Sequence, residues 1–322
     1  MQRAAGAGVI RLARRIGRLW FAEAPASRLA LLRVVIGAYT LWYLAPRYGL
    51  LTDLTQSDPS LFEPVGVVSL LARPLDPSLF HLLMIATLAA NAAFLLGWRY
   101  RISGPAFALL LLWVLTYRNS WSMIFHSDNV LVLHVLILAF TPAAEAVSLD
   151  ALPSNRPDRM SWRYGWPIRL MCAVTATTYF LAGVAKVAGP AGWSWAGGGA
   201  LLKQVAVDGL RKDLLGGAAS PLLFGLQDYL VLFTALGVGS LVLELGAPIS
   251  LLDRRLARLW AVSAFLMHWG IFIIMGITFR YQLSGVTYAP FFPLERIVIW
   301  LRSLRREPRT APPTVFSEAN LR

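Results

Sequence analysis

Residues Tyr179 to Trp195 read YFLAGVAKVAGPAGWSW, and this stretch decides the architecture. It closes an apolar run that begins near Pro167 and is long enough to cross a bilayer, which takes roughly 20 apolar residues. Lys186 stands at the end of that run, and Gly189, Pro190 and Gly192 then break the helix. Of 30 basic residues only Lys186, Lys203 and Lys212 are lysines. Arginine keeps its charge at any accessible pH, whereas a poorly solvated lysine can give up its proton and act as a base. The chain therefore reads as a membrane scaffold around one amine.

The 322 residues are 57% hydrophobic and only 15% charged, too apolar for an ordinary soluble domain. Several apolar runs approach spanning length, so the expected fold class is all-α: a polytopic transmembrane helical bundle with seven to eight spans and a broken outer segment. The net charge of +13 does not point to nucleic acid, because the arginines cluster in short segments between apolar runs and fit an orientation signal. The single cysteine, Cys172, lies inside a run and rules out a disulfide framework or a CxxC motif. His126 and His134 are too far apart for an HExxH pair, so no metal site is expected, and no GxSxG, Walker or GxGxxG context exists.

In chain order, residues 1–28 form a basic amphipathic segment, with Val9, Leu12, Ile16, Leu19 and Trp20 on one helical face, suited either to lie on an anionic cytoplasmic leaflet or to serve as a basic solvated leader. The spans expected within a membrane domain over 29–301 are Leu29 to Pro46, Ser78 to Gly97, Ile102 to Tyr117, Asn129 to Thr141, Pro167 to Ala188, Tyr229 to Leu252 and Leu259 to Phe279. An eighth, irregular crossing from Tyr281 to Leu301 is interrupted by Pro290 and Pro293. Between the fifth and sixth spans, Gly189 to Asp228 is an outer segment with short helices at Ala200 to Leu215 and Pro221 to Leu226. Residues 302–322 are a basic tail. Arginines at 99, 159 and 255 place their loops and both termini in the cytoplasm, as in a multi-pass inner-membrane protein.

Ionisable groups within spans are functional candidates, each with a plainer reading. Arg33 and Glu244 fit either an ion pair in the cytoplasmic half or separate snorkelling side chains. His268 fits a neutral histidine bonded to a carbonyl or a proton shuttle. His126, Asp128, Asn129 and His134 occupy the entry to the fourth span at the membrane level of Lys186, and they fit either one convergent site or a self-capped helix beside a snorkelling lysine.

The segment from Tyr179 to Lys186, followed by Trp193 and Gly197 to Gly199, resembles the YFxAGxxK…W…G segment of vitamin K-dependent gamma-carboxylases and of their bacterial relatives, the horizontally transferred transmembrane (HTTM) domain proteins. Ser148 to Leu152 (SLDAL), the run ending at Arg33, Glu244 to Pro248 (ELGAP) and Met267 to Ile271 (MHWGI) are similar to further family features. The resemblance implies a Lys186 base acting on a membrane hydroquinone of the vitamin K type. Beside it, His126 and Asn129 are implied in the chemistry and Asp128, His134, Trp193 and Trp195 in substrate contact, while the depth of Arg33, Glu244 and His268 in their spans fits structural intramembrane roles. The chain departs from the carboxylases in having Ala185 before Lys186, AlaGlyProAlaGly at Ala188 to Gly192, and little sequence after the last span. A family member that matures a secreted peptide toxin implies the alternative, a non-enzymatic factor for maturation, export or immunity of a secreted peptide.

Overall fold

The computed structural model describes residues 17–121, 123–152, 158–217, 220–297 and 300. The basic tail, and the N-terminal segment up to residue 16, lie outside the described residues. The helices are α1 (Ala26–Leu44), α2 (Pro77–Leu96), α3 (Tyr100–Asn119), α4 (His126–Ala139), α5 (Trp162–Ala188), α6 (Gly199–Leu214), α7 (Pro221–Leu226), α8 (Leu230–Leu245), α9 (Arg254–Met275) and α10 (Arg280–Leu283). Short helical turns carry α1 on to Gln56. Among the described residues five helices are long and apolar enough to cross a membrane: α1 with its extension, α2, α3, α5 and α9. α4 and α8 are shorter apolar helices. Among the described residues only a two-residue pair of strands, β1 (Ala24–Pro25) and β2 (Met160–Ser161), interrupts the all-α architecture.

Helix ends follow local chemistry more than hydropathy. α9 begins at Arg254, five residues before the apolar run, because the Asp253 carboxylate accepts from the backbone N–H of Arg255 and Leu256. It stops at Met275 because Gly276 takes a left-handed φ of 66°. The expected sixth span divides: α8 ends at Leu245, and Pro248 turns the following residues into a 3-10 helix over Ala247–Leu251.

Two packing groups meet along α5. The larger core joins α1 to α4 with one side of α5, through buried residues such as Leu32, Phe94, Phe107 and Met171. The smaller joins the other side to α8, α9 and the returning chain, through Tyr179, Trp260, Ala264 and Phe291. After α9 the chain recrosses the bundle as α10 and a 3-10 helix over Val286–Phe291, with Tyr281, Thr287 and Tyr288 buried. Irregular backbone at membrane depth is tolerated where protein covers it, so this is the interrupted run around Pro290 and Pro293 buried inside the bundle. Glu295 then meets Arg28 at the start of α1 in a bidentate pair.

One end of the bundle, carrying Arg99, Arg159 and Arg255, is built around Arg33. This guanidinium is wholly buried, and among the described residues no carboxylate pairs with it. It donates to the carbonyls of Phe94 (2.6 Å) and Leu95 (2.8 Å) at the end of α2, and to Ala143 (3.1 Å) and Val147 (2.5 Å) beyond α4. The free carbonyls of a helix C-terminus carry partial negative charge, so Arg33 is neutralised by backbone. The expected Arg33–Glu244 pair is therefore corrected: Glu244 lies in the other packing group. The SLDAL segment also acts here. Asp150 accepts from the N–H groups of Arg99 (2.9 Å) and Tyr100 (2.8 Å), capping α3 from 50 residues away.

Candidate functional site

Glu244 reaches Lys186 because of one glycine. Gly183 lies on the face of α5 that meets α8, and a Cβ there would stand 2.9 Å from the Glu244 Cβ. Glycine thus lets the helices close, and three residues further along α5 Lys186 donates to both carboxylate oxygens of Glu244. Their side chains are 23% and 7% exposed, so the pair is largely withdrawn from water. The chain after α5 folds back over it as a 3-10 turn, Gly192–Gly197. Gly198 closes that turn with a φ of 79° and packs so tightly on Phe233 and Thr234 that no side chain would fit. This places the Trp195 ring 5.5 Å from the Lys186 ammonium, a cation–π distance.

The pair opens into an apolar cavity of about 370 Å³ between α5, α8 and α9, with α6 over it. That volume lies within the range of about 300–1,000 Å³ usual for small-molecule sites. Its walls are largely apolar: Ala182 from α5, Phe233 and Leu236 from α8, Ile271 and Met275 from α9 and Val205 from α6. Polar groups line it at few points. His268 Nδ1 lies 3.0 Å from the Ala264 carbonyl and so carries the hydrogen, which leaves Nε2 as an acceptor. The Tyr179 hydroxyl meets the Tyr288 hydroxyl at 2.5 Å and His268 Nδ1 at 3.2 Å. Trp195 and Gln282 also line the cavity, and among the described residues the buried Trp195 Nε1 and Gln282 Oε1 have no hydrogen-bond partner. Unpaired buried polar atoms are uncommon and costly. An apolar space whose few polar groups include the Lys186–Glu244 pair and His268 suits a lipophilic ring with hydroxyl or carbonyl edges.

The structure brings together only part of the expected constellation. Lys186, His126, Trp195, Glu244 and His268 all border the cavity, His126 at its rim with its ring 5.3 Å from Phe279. His134 does not. It is fully buried between α4, α5 and α10, with Nε2 on the Met171 carbonyl (3.2 Å) and Nδ1 on the Tyr281 hydroxyl (2.8 Å), a core histidine with both nitrogens engaged. Asp128 turns to Arg118 (2.7 Å) and Tyr43 (3.1 Å). Asn129 and Trp193 are exposed and away from the lining. Among the described residues no group of three or more metal-ligating side chains occurs. Sequence reasoning missed Tyr288 and Gln282, which sit in the irregular run after α9. Gln282 is the one amide between Phe279 and Phe292, and that isolation was the available signal.

Comparison with curated proteins and with solved structures gives no match. The family model of the HTTM domain matches residues 21–292, a stretch that contains Arg33, Asp150, the Lys186–Glu244 pair and the cavity-lining His268. A membrane-type helical bundle with this match over most of its length is what such a family predicts, and the chain belongs to the HTTM domain family.

Proposed function

We propose that this chain is a bacterial inner-membrane protein, with both termini cytoplasmic, that binds a lipophilic hydroquinone of the vitamin K type and removes a phenolic proton through Lys186 and Glu244. The observation that carries the reading is a doubly hydrogen-bonded Lys186–Glu244 pair at the wall of an apolar cavity. The bound hydroquinone supplies an ionisable hydroxyl. His268, whose Nδ1 is engaged by the Ala264 carbonyl, accepts from a hydroxyl group through Nε2.

An ion-paired lysine is already protonated, so it cannot act alone as a base. In this reading Lys186 passes one proton to the Glu244 carboxylate as it takes one from the hydroxyl, leaving an ammonium beside the new phenolate. Arginine at 186 would keep the charge and the pairing but could not release a proton at accessible pH.

The test uses the purified full-length chain in detergent, anaerobically, with a reduced naphthoquinol and its absorption spectrum as readout. Wild-type protein is expected to show the red-shifted phenolate band near neutral pH, while Lys186→Arg and Glu244→Gln bind the quinol without it. Absence of quinol binding to wild-type protein, or a phenolate band in either variant, would overturn the proposal. A protein serving only in maturation, export or immunity of a secreted peptide would give the first of these results.

A further inference from the structure

The cavity uses few of the charged groups at its end of the bundle, and a second cluster stands beside it. Its frame is aromatic. The Tyr281 ring lies 5.0 Å from Tyr39, and Tyr39 stacks on Tyr43 at 5.9 Å. Arg47 covers the Tyr43 ring at 4.4 Å and donates to the Tyr43 carbonyl at 2.6 Å. Arg118 donates to the Tyr43 hydroxyl and to Asp128, both at 2.7 Å, and lies 3.6 Å over the Phe125 ring. Arg280 immediately precedes Tyr281 and is within electrostatic range of both Arg47 and Tyr39.

Charge does not balance here. Asp128 pairs with Arg118 and also attracts Arg47, so one carboxylate faces three guanidiniums, and among the described residues none forms a salt bridge with Arg47 or Arg280. Positive charge is therefore in excess, and Arg47 and Arg280, which repel each other, gain from a shared anion that each can meet with planar, charge-assisted hydrogen bonds. The surroundings say what carries the anion. Trp42, whose ring is 5.8 Å from Tyr39, is 58% exposed, and Leu50, Met123 and Ile124 are each more than half exposed. A charged cluster at the end of membrane helices, ringed by exposed apolar side chains, is satisfied by an amphiphile and not by a free ion.

We propose that Arg47 and Arg280 bind the phosphate of an anionic phospholipid, in the leaflet opposite the Arg99, Arg159 and Arg255 loops, with its acyl chains against Trp42 and Leu50. Arg118 and Asp128 position the Tyr43 platform beneath it. The site adjoins the cavity mouth, because Arg280 follows Phe279 and Asp128 is two residues from His126. It does not depend on what the cavity binds.

The test is native mass spectrometry of the full-length chain in detergent, titrated with phosphatidylglycerol, phosphatidylcholine or inorganic phosphate. Wild-type protein should bind phosphatidylglycerol at least tenfold more tightly than phosphatidylcholine. Arg47→Gln/Arg280→Gln should lose that preference, Arg280→Lys should keep most of it, and Arg159→Gln at the far end should keep all of it. Arg280 is exposed, so its replacement does not threaten the fold. Equal affinity of wild-type protein for the two lipids, an undiminished preference in the double variant, or displacement of the lipid by equimolar inorganic phosphate would each overturn the proposal.

Discussion

Arg33 and Lys186 are both cations in apolar surroundings, and the fold answers them differently. Arg33 meets four carbonyls, and Lys186 meets one carboxylate. Arg33→Lys should therefore be costly although it keeps the charge. One ammonium cannot follow the fork of a guanidinium, and each carbonyl left unpaired costs about 1–3 kcal/mol. A marked fall in thermal stability in detergent, with Arg33→Lys nearly as unstable as Arg33→Gln, is expected. Lys186→Gln and Glu244→Gln should show coupling in a double-mutant cycle, on the scale of about 1.5–3 kcal/mol for a hydrogen bond to a charged group. Arg33 and Glu244 should be additive, and coupling between them would contradict the separation seen here. Lys186 was legible in the sequence because a lone spanning lysine is rare. Its partner was not, since periodicity assigns depth by counting from loop arginines, and Glu244 counted that way falls beside Arg33. The glycine contact that sets the true register leaves no mark in hydropathy.

At the scale of elements, the apolar runs foretold where helices lie, while their ends were set by single residues: Asp253, Gly276 and Pro248. The α5–α8 contact depends on Gly183 in the same way. Gly183→Leu should push Glu244 and Leu245 away, at an overpacking cost of about 1–3 kcal/mol, and should abolish the Lys186–Glu244 coupling even though both residues remain. A cycle repeated in that background checks it. The α9 cap carries a pH signature. The backbone N–H groups of Arg255 and then Leu256 hold the Asp253 carboxyl below the usual carboxylate range. A carboxyl whose folded pKa is depressed stabilises the fold above its unfolded value, near 3.9, and that contribution is lost as pH falls through the lower folded value. Asp253→Ala should therefore flatten the acid limb of stability below about pH 4. An acid titration of melting temperature, wild type against variant, would show an unchanged limb if the cap were unimportant.

For the whole molecule, the strongest constraint is the returning chain. α9 ends near the cavity and Glu295 pairs with Arg28 at the opposite end, so the buried residues between them carry the chain back through the bundle. That crossing was only partly legible, because its prolines and polar residues weaken every helical signal while burial in protein satisfies its backbone. It joins the end of the membrane domain to its beginning, close to where β1 meets β2 and where Ser27 binds Asp158. Arg99, Arg159 and Arg255 all lie at that end, and an excess of arginine in short loops marks the cytoplasmic side. The topology prediction follows. Cys172 is buried and should not react, so single cysteines can be placed at Asp58, Arg99, Arg159 and Arg255 in the native background. A membrane-impermeant maleimide applied to intact cells should label position 58 alone, and the other three only after permeabilisation. Replacing Glu295 with Gln should loosen the return and raise protease sensitivity around residues 284–292 without inverting the labelling. External labelling at position 159 would reverse the orientation, moving the Lys186 cavity and the arginine pair to the cytoplasmic half. Labelling at 58 from outside, with 159 reached only after permeabilisation, leaves the cavity toward the outer leaflet.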